Sequence, residues 1–166
     1  MTNALRVRVR WMIRRDMPYV MDIESGSFES PWSEEDFIRC LNQKNVIGMS
    51  AEYDDQIIGF VLYELSKTRI RLIRVAVDPD CRRRGIGTQI IAKLAGKLSP
   101  ERRRKIELDV MESNLVGQVF FRECGFLAIL TIRGLHSDED AYRMIRSIRL
   151  PSEPGAVPVN RVSGKW

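Results

Sequence analysis

The sequence predicts a mixed α+β layered domain, and three observations predict it. Period-two alternation recurs over residues 6–13 and 69–77, with a hairpin pattern between them over 46–65, which are strand signals. Apolar residues then fall at helical spacing, at Ile86, Ile90, Leu94 and Leu98. Strand-like and helix-like stretches continue to residue 150, giving the order β-α-α-β-β-β-α-β-α-β-β.

Each element has its own signal. Arginine and valine alternate from Arg6 and the run reaches Trp11 and Ile13, a first strand with one buried face. Asp16 is an expected N-cap and Pro18 suits a first helical turn. The helix carries Val20, Ile23 and Glu24 and runs to about Gly26. Ser33 with Asp36 forms a capping box, with Asp for the usual Glu, opening a helix toward Leu41. Val46–Tyr53 and Ile57–Leu65 flank Asp54-Asp55 as a hairpin, and Arg69–Val77 is a third consecutive strand. A helix is expected over Gly85–Leu98. In the next strand Ile106, Leu108 and Val110 share one face and Glu107 and Asp109 the other. Leu115–Glu123 is a helix stopped at Gly125, and Phe126–Ile132 and Tyr142–Leu150 are the last strands. Residues 1–150 read as one domain. After them PSEPGAVPVNRVSGKW has three prolines and no periodicity, and reads as an extended or mobile tail over 151–166.

Composition sets limits. The chain has 166 residues, 44% hydrophobic and 30% charged, enough apolar content for a core and too much for wholesale disorder. It lacks a run of about 18 apolar residues, so a spanning helix is excluded. MTNALRVRVRW is basic with no apolar stretch behind it, so no secretory signal is expected. Cys40, Cys81 and Cys124 are odd in number and far apart, which fits a reducing, cytoplasmic setting and no disulfide framework. One histidine, His136, leaves little scope for a metal site or a Ser–His–Asp triad, so no metal is expected. The net charge of +5 favours polyanionic partners, although arginine runs are most often solvated faces.

The informative stretch is IRVAVDPDCRRRGIGTQII (73–91). A strand ends in a Pro-containing turn, and an Arg-rich, Gly-spaced loop then opens a helix. A helix N-terminus offers unpaired N–H groups and a positive dipole end. Glycines at 85 and 87 would let a bulky anion approach the backbone. No Gly-Lys-Ser/Thr follows, so this is not a Walker loop, and it is not the Rossmann G-x-G-x-x-G.

These residues resemble the GNAT acetyltransferase superfamily. Its acyl-CoA motif, Q/R-x-x-G-x-G/A after a strand, is matched by Arg82-Arg83-Arg84-Gly85-Ile86-Gly87. LDVMESNLVGQVFFRECGF (108–126) is similar to the family's second CoA-contacting block. IESGSFESPWSEEDF (23–37) resembles the substrate-side segment of the RimI-like branch, which acetylates protein N-termini. The element order over residues 6–150 is that of the GNAT fold, which implies a central, mostly antiparallel twisted sheet flanked by helices.

The resemblance implies roles. Acetyl-CoA would be the co-substrate. Val75, Ala76 and Val77 would bond the pantetheine arm through their backbone, and Arg82, Arg83, Arg84, Gly85, Ile86, Gly87 and Thr88 would hold the diphosphate. Asn114 would contact the cofactor arm, and it can equally cap the helix that follows. The general base of the branch falls on Asp109, one methylene shorter than its glutamate, and a solvated strand carboxylate is the other reading. Glu24 is a second carboxylate for the substrate amine. Phe28, Pro31, Trp32, Arg74 and His136 are the expected acceptor contacts. The family's tyrosine acid falls on Phe121, which has no proton to give. A thiol of pKa about 8.5 leaves as thiolate at about 2 kcal/mol at pH 7, so the loss is moderate. An α-amine costs about 1 kcal/mol to neutralise at pH 7 and a lysine about 4–5, so this site suits an α-amine. The loop RGLHSDEDAY (133–142) is short and lacks the branch's tyrosine pair, leaving His136, Asp138 and Tyr142 as polar substitutes.

The function expected is transfer of acetyl to a primary amine by direct attack on the thioester. The acceptor is a protein or peptide N-terminus, ribosomal proteins included, and the enzyme is a monomer or homodimer without membrane or specific nucleic-acid partners. Two alternatives stand beside it. One is a GNAT enzyme for a polyamine or aminoglycoside, with Asp138, Glu139 and Asp140 facing the cation. The other is a weakly catalytic CoA-binding sensor, suggested by Phe121.

Overall fold

The computed structural model describes residues 4–136 and 138–148, so the expected tail over 151–166 lies outside the described residues. The chain forms β1 (Arg8–Trp11), a 3-10 turn (Arg14–Asp16), α1 (Met17–Ser27), α2 (Glu34–Leu41), β2 (Val46–Tyr53), β3 (Gln56–Leu65) and β4 (Arg69–Val77). After a second 3-10 turn (Pro79–Cys81) come α3 (Ile86–Ala95), β5 (Lys105–Met111), α4 (Leu115–Glu123), β6 (Leu127–His136) and β7 (Glu139–Ser147). The seven strands make one sheet in the order β1-β2-β3-β4-β5-β7-β6. Every pairing is antiparallel except β4 with β5.

Side-chain alternation sorts the strands' residues onto two helical layers. From β3, Phe60 and Leu62 face α1 and α2 and pack with Val20, Ile23 and Phe37. Val61 and Tyr63 face the other way and join Ile86, Ile90, Ile91 and Leu94 of α3, with Phe121 of α4. A bulge interrupts the β3–β4 register, where Leu62 faces Arg74 but Tyr63 faces Leu72. Ile73 is therefore the extra residue. It re-aims the rest of β4, because Ile70 and Leu72 before it and Val75 and Val77 after it all lie on the α3 side. Arg74 and Ala76 are left on the α1 side.

Several boundaries differ from expectation. The Ser33–Asp36 box forms, with Ser33 Oγ accepting from the Asp36 N–H at 3.2 Å and Asp36 Oδ2 accepting from the Ser33 N–H at 2.9 Å. Asp16 occupies the N-cap position of α1 as expected, but its side chain makes no capping bond to that helix. It is buried, and it accepts from Arg10 Nη1 and Nη2 at 2.8 and 2.9 Å and from the Ser50 hydroxyl at 2.9 Å. The expected loop over 133–142 is mostly strand, since β6 reaches His136, which pairs with Glu139. An edge hairpin tolerates polar side chains on both faces, so its composition looks like a loop.

Candidate active site

β4 and β5 pair only over their first three residues, Arg69 with Lys105, Ile70 with Ile106 and Arg71 with Glu107. β4 continues to Val77 and β5 to Met111, so the two strands part and leave an open-ended gap in the sheet. The Asp78 N–H donates to the Ile58 carbonyl at 2.8 Å. Bonded residues alternate along an antiparallel ladder, so Ala76 also bonds toward β3 while the backbones of Val75 and Val77 face the gap. Ala76, expected to bond the cofactor arm through its backbone, places its side chain in the α1–α2 core.

The arginine loop stands at the open end of this gap. Arg83 and Gly85 have φ of 62° and 77°, and Gly85 is the N-cap of α3. Gly85 needs to be glycine for that left-handed turn. The first N–H groups of α3 therefore point out of the loop without intrahelical partners, as an anion requires. Gly87 has a different reason to be glycine: a Cβ there would lie 2.9 Å from Cζ of Phe120. Arg82 donates from Nε to the Val77 carbonyl at 3.1 Å and from Nη2 to the Ser27 hydroxyl at 2.9 Å, tying the loop to α1. Asn114 caps α4, its Oδ1 accepting from the Gly117 N–H at 2.9 Å, so its amide nitrogen is what remains for a ligand.

On the α1 side of β4 a second cluster meets the gap. Glu24 is 0% exposed. Its Oε1 accepts from Arg74 Nε at 2.6 Å and from the Trp32 N–H at 3.0 Å. Its Oε2 is buried and has no partner among the described residues. The Arg74 guanidinium carbon lies 3.9 Å from the ring centre of Phe28 and 4.7 Å from that of Trp32, a double cation–π contact. Glu24, Phe28, Trp32 and Arg74 are thus brought together. Pro31 is exposed in the α1–α2 loop. The His136 side chain lies outside the described residues.

Asp109 is half-buried and held in an ion-pair network. It accepts from Arg143 Nε and Nη2 at 2.9 and 3.1 Å and from Arg71 Nη2 at 3.0 Å. Burial pushes its pKa up, but hydrogen bonds from Arg143 and the charges of Arg143 and Arg71 outweigh this and hold it below the carboxylate range. Glu107 beside it is 2% exposed and paired with Arg69, Arg71, Lys105 and Arg143. These cations come from three strands, so the neutralisation of Asp109 and Glu107 was not visible in any local stretch of sequence. Two acidic residues of the last hairpin are also committed. Glu139 accepts from the Ser113 N–H at 2.8 Å, and Asp140 from the Gly134 N–H at 3.0 Å.

Phe121 is 6% exposed, with its ring 5.1 Å from Phe120 and 5.5 Å from Phe126, both edge-on. One turn earlier, Gln118 is also buried. Its amide donates to the Met111 and Glu112 carbonyls at 3.0 and 2.9 Å, closing the end of β5. Sequence reasoning missed Gln118, because a polar residue in a core-facing helical row is the only signal it gives. Burial raises the pKa of all three cysteine thiols, which keeps them protonated and poor nucleophiles.

The sequence model of the acetyltransferase (GNAT) family matches residues 17–126, which spans both clusters and the arginine loop. The [ribosomal protein bS18]-alanine N-acetyltransferase of Salmonella typhimurium is 27% identical over 111 residues, covering 67% of this chain and 74% of that protein. Among solved structures, the ribosomal-protein-S18-alanine N-acetyltransferase from Escherichia coli superposes with a TM-score of 0.76 at 22% identity. It covers 92% of this chain and 100% of its own. Ard1 from Thermoplasma volcanium gives a TM-score of 0.77 at 20% identity, covering 88% of this chain and 100% of its own. The two superpositions establish the fold.

Proposed function

The chain belongs to the acetyltransferase (GNAT) family, and from that membership we propose that it moves the acetyl group of acetyl-CoA to the α-amine at a protein N-terminus. The observation that carries the reading is the parting of β4 from β5 with the arginine loop at its open end. A thioester-bearing arm laid in that gap finds the inward backbone of Val75 and Val77. Its diphosphate falls on the N–H groups of residues 83–88, with Arg82, Arg83 and Arg84 supplying charge. The amide of Asn114 completes that side. The Salmonella typhimurium and Escherichia coli proteins named above are ribosomal protein S18-alanine N-acetyltransferases, and a ribosomal-protein N-terminus is the acceptor class we assign.

The acceptor enters between the Phe28–Trp32 loop and the last hairpin, with Arg74 and His136 as its polar contacts and Pro31 stiffening the loop. Glu24 Oε2, buried and without a partner among the described residues, is the oxygen we assign to a substrate N–H; its other oxygen already accepts two hydrogen bonds, and access to Oε2 requires the Phe28–Trp32 loop to shift. The free amine attacks the thioester carbonyl, and a β4 N–H stabilises the oxyanion. Neutralising an α-amine costs only about 1 kcal/mol at pH 7, so a modest base suffices. Asp109 serves the sheet and not the proton transfer. At Phe121 the thiolate leaves without a phenol donor.

Thiol release should be measured from acetyl-CoA with Ala-, Ser- and Met-starting peptides, N-blocked lysine peptides and polyamines. Mass spectrometry should place acetyl on free peptide N-termini. Turnover confined to lysine or polyamine would overturn the acceptor assignment.

A further inference from the structure

The cations around the start of β4 and β5 divide into two populations. Arg69, Arg71, Lys105 and Arg143 are neutralised by Glu107 and Asp109. The cations of the neighbouring turns are not. Residues 66–68 and 96–104 hold Lys67, Lys97, Arg102, Arg103 and Arg104 against a single carboxylate, Glu101. Among the described residues no carboxylate lies at ion-pair distance from any of the five.

This surface is fastened together. The Arg104 N–H donates to the Thr68 carbonyl at 3.2 Å and the Ser99 N–H to the Arg103 carbonyl at 2.8 Å. Arg103 Nε donates to the Ser66 carbonyl and Arg104 Nε to the Pro100 carbonyl, both at 2.7 Å. Each guanidinium is therefore anchored at Nε while its two terminal nitrogens keep their donors, a fork already set for phosphate oxygens. The turns lie at the start of β4, whereas the arginine loop lies beyond its end. Nine strand residues separate the two by about 26 Å.

We propose that this pole is a second polyanion site, which binds the phosphate backbone of RNA and holds the enzyme on a ribonucleoprotein while its acetyl-transfer mouth stays free. RNA suits the surface better than a membrane. The forks match phosphate, and neither turn exposes a large apolar side chain to enter a bilayer. Binding of this kind reads charge and not sequence.

The test is fluorescence anisotropy of a labelled RNA hairpin with the full chain, across a salt series and with saturating acetyl-CoA. Wild type should bind with a steep salt dependence that acetyl-CoA leaves unchanged. The double variant R102E/R104E should bind about tenfold more weakly, with a salt slope smaller by about 2, one for each phosphate contact. Its kcat/KM on a free peptide should match wild type, which also certifies its fold. Unchanged affinity and slope in the variant would overturn the proposal. So would displacement of RNA by acetyl-CoA, or equal binding to anionic phosphatidylserine vesicles. Peptide acetylation and RNA binding are read separately, so this inference and the acetyl-transfer reading can fail independently.

Discussion

Arg74 holds the carboxylate of Glu24 at 2.6 Å while its guanidinium lies over the Phe28 ring at 3.9 Å. One residue thus ties α1, the α1–α2 loop and β4 into a single wall of the gap. The contact exists because the Ile73 bulge turns Arg74 toward α1. It also makes Glu24 dependent on Arg74, since a carboxylate with no solvent contact needs a cation beside it.

Arg74→Ala should therefore destabilise the fold by about 3–5 kcal/mol, the cost of leaving a buried charge unpaired. Arg74→Lys should fall between, keeping the charge but losing the fork and the ring contacts. Urea unfolding gives both values. A loss below 1 kcal/mol for Arg74→Ala would show that Glu24 finds another partner.

Glu24→Gln keeps the shape and the bond to Arg74 but removes the base. We expect kcat/KM on an N-terminal peptide to fall by about 10²-fold or more, with stability changed far less than in Arg74→Ala. Equal losses of activity in Asp109→Asn at unchanged stability would return the base to β5.

Stability should fall in acid for a definite reason. Asp109 and Asp16 both have folded pKa values below their unfolded ones; burial pushes each up, and arginine partners more than reverse it. Their contribution is complete above the unfolded value of about 3.9 and is lost as pH falls through the lower folded values. Chemical unfolding between pH 2 and 6 should show this decline, shallower in Asp109→Asn. The activity profile between pH 6 and 9 should carry no limb from Asp109, which stays ionised throughout.

Phe121→Tyr tests the missing acid. A thiolate costs about 2 kcal/mol at pH 7, so a restored phenol can raise kcat by no more than about 30-fold. Without acetyl-CoA the new hydroxyl enters an edge-on cluster of phenyl rings, and thermal unfolding should show a loss of about 1–3 kcal/mol. Unchanged kcat would mean that the thiolate is already protonated by another route.

Gly87→Ala should raise the KM for acetyl-CoA, because its Cβ drives the Phe120 ring out of place against the loop. Phe120→Ala should abolish that penalty. In the double-mutant cycle the Gly87→Ala effect should therefore vanish when Phe120 is already truncated. Additive effects would place the glycine's role in the ligand contact alone.

Much of this was legible in the sequence. The Ser33–Asp36 box, the Asp54-Asp55 hairpin and the α3 and α4 rows each rest on residues close in the chain, where local rules apply. The arginine loop was legible because its glycine spacing is itself the signal. Other features were not, because distant residues decide them. The Ile73 bulge is a relation between two strands, and it alone tells which face Arg74 takes. Asp109 reads as a base by position, yet Arg143, 34 residues away, claims both its oxygens. Gly87 reads as a phosphate glycine, and its neighbour is a ring from α4.

The Gln89 side chain has a consequence for how the molecule assembles. Its Oε1 accepts from the Val7 N–H at 3.0 Å, its Nε2 donates to the Leu5 carbonyl at 2.6 Å, and the Leu5 N–H bonds the Arg84 carbonyl at 3.0 Å. Leu5 and Val7 are thus laced to the loop that would hold the diphosphate, across a separation of 82 residues between Val7 and Gln89. Closing so long a loop is entropically costly and contributes slow, non-local contacts to folding. On a translating ribosome the leading segment must wait, unpaired on this side, until α3 has emerged. The cradle for the cofactor is then completed by a segment made long before it.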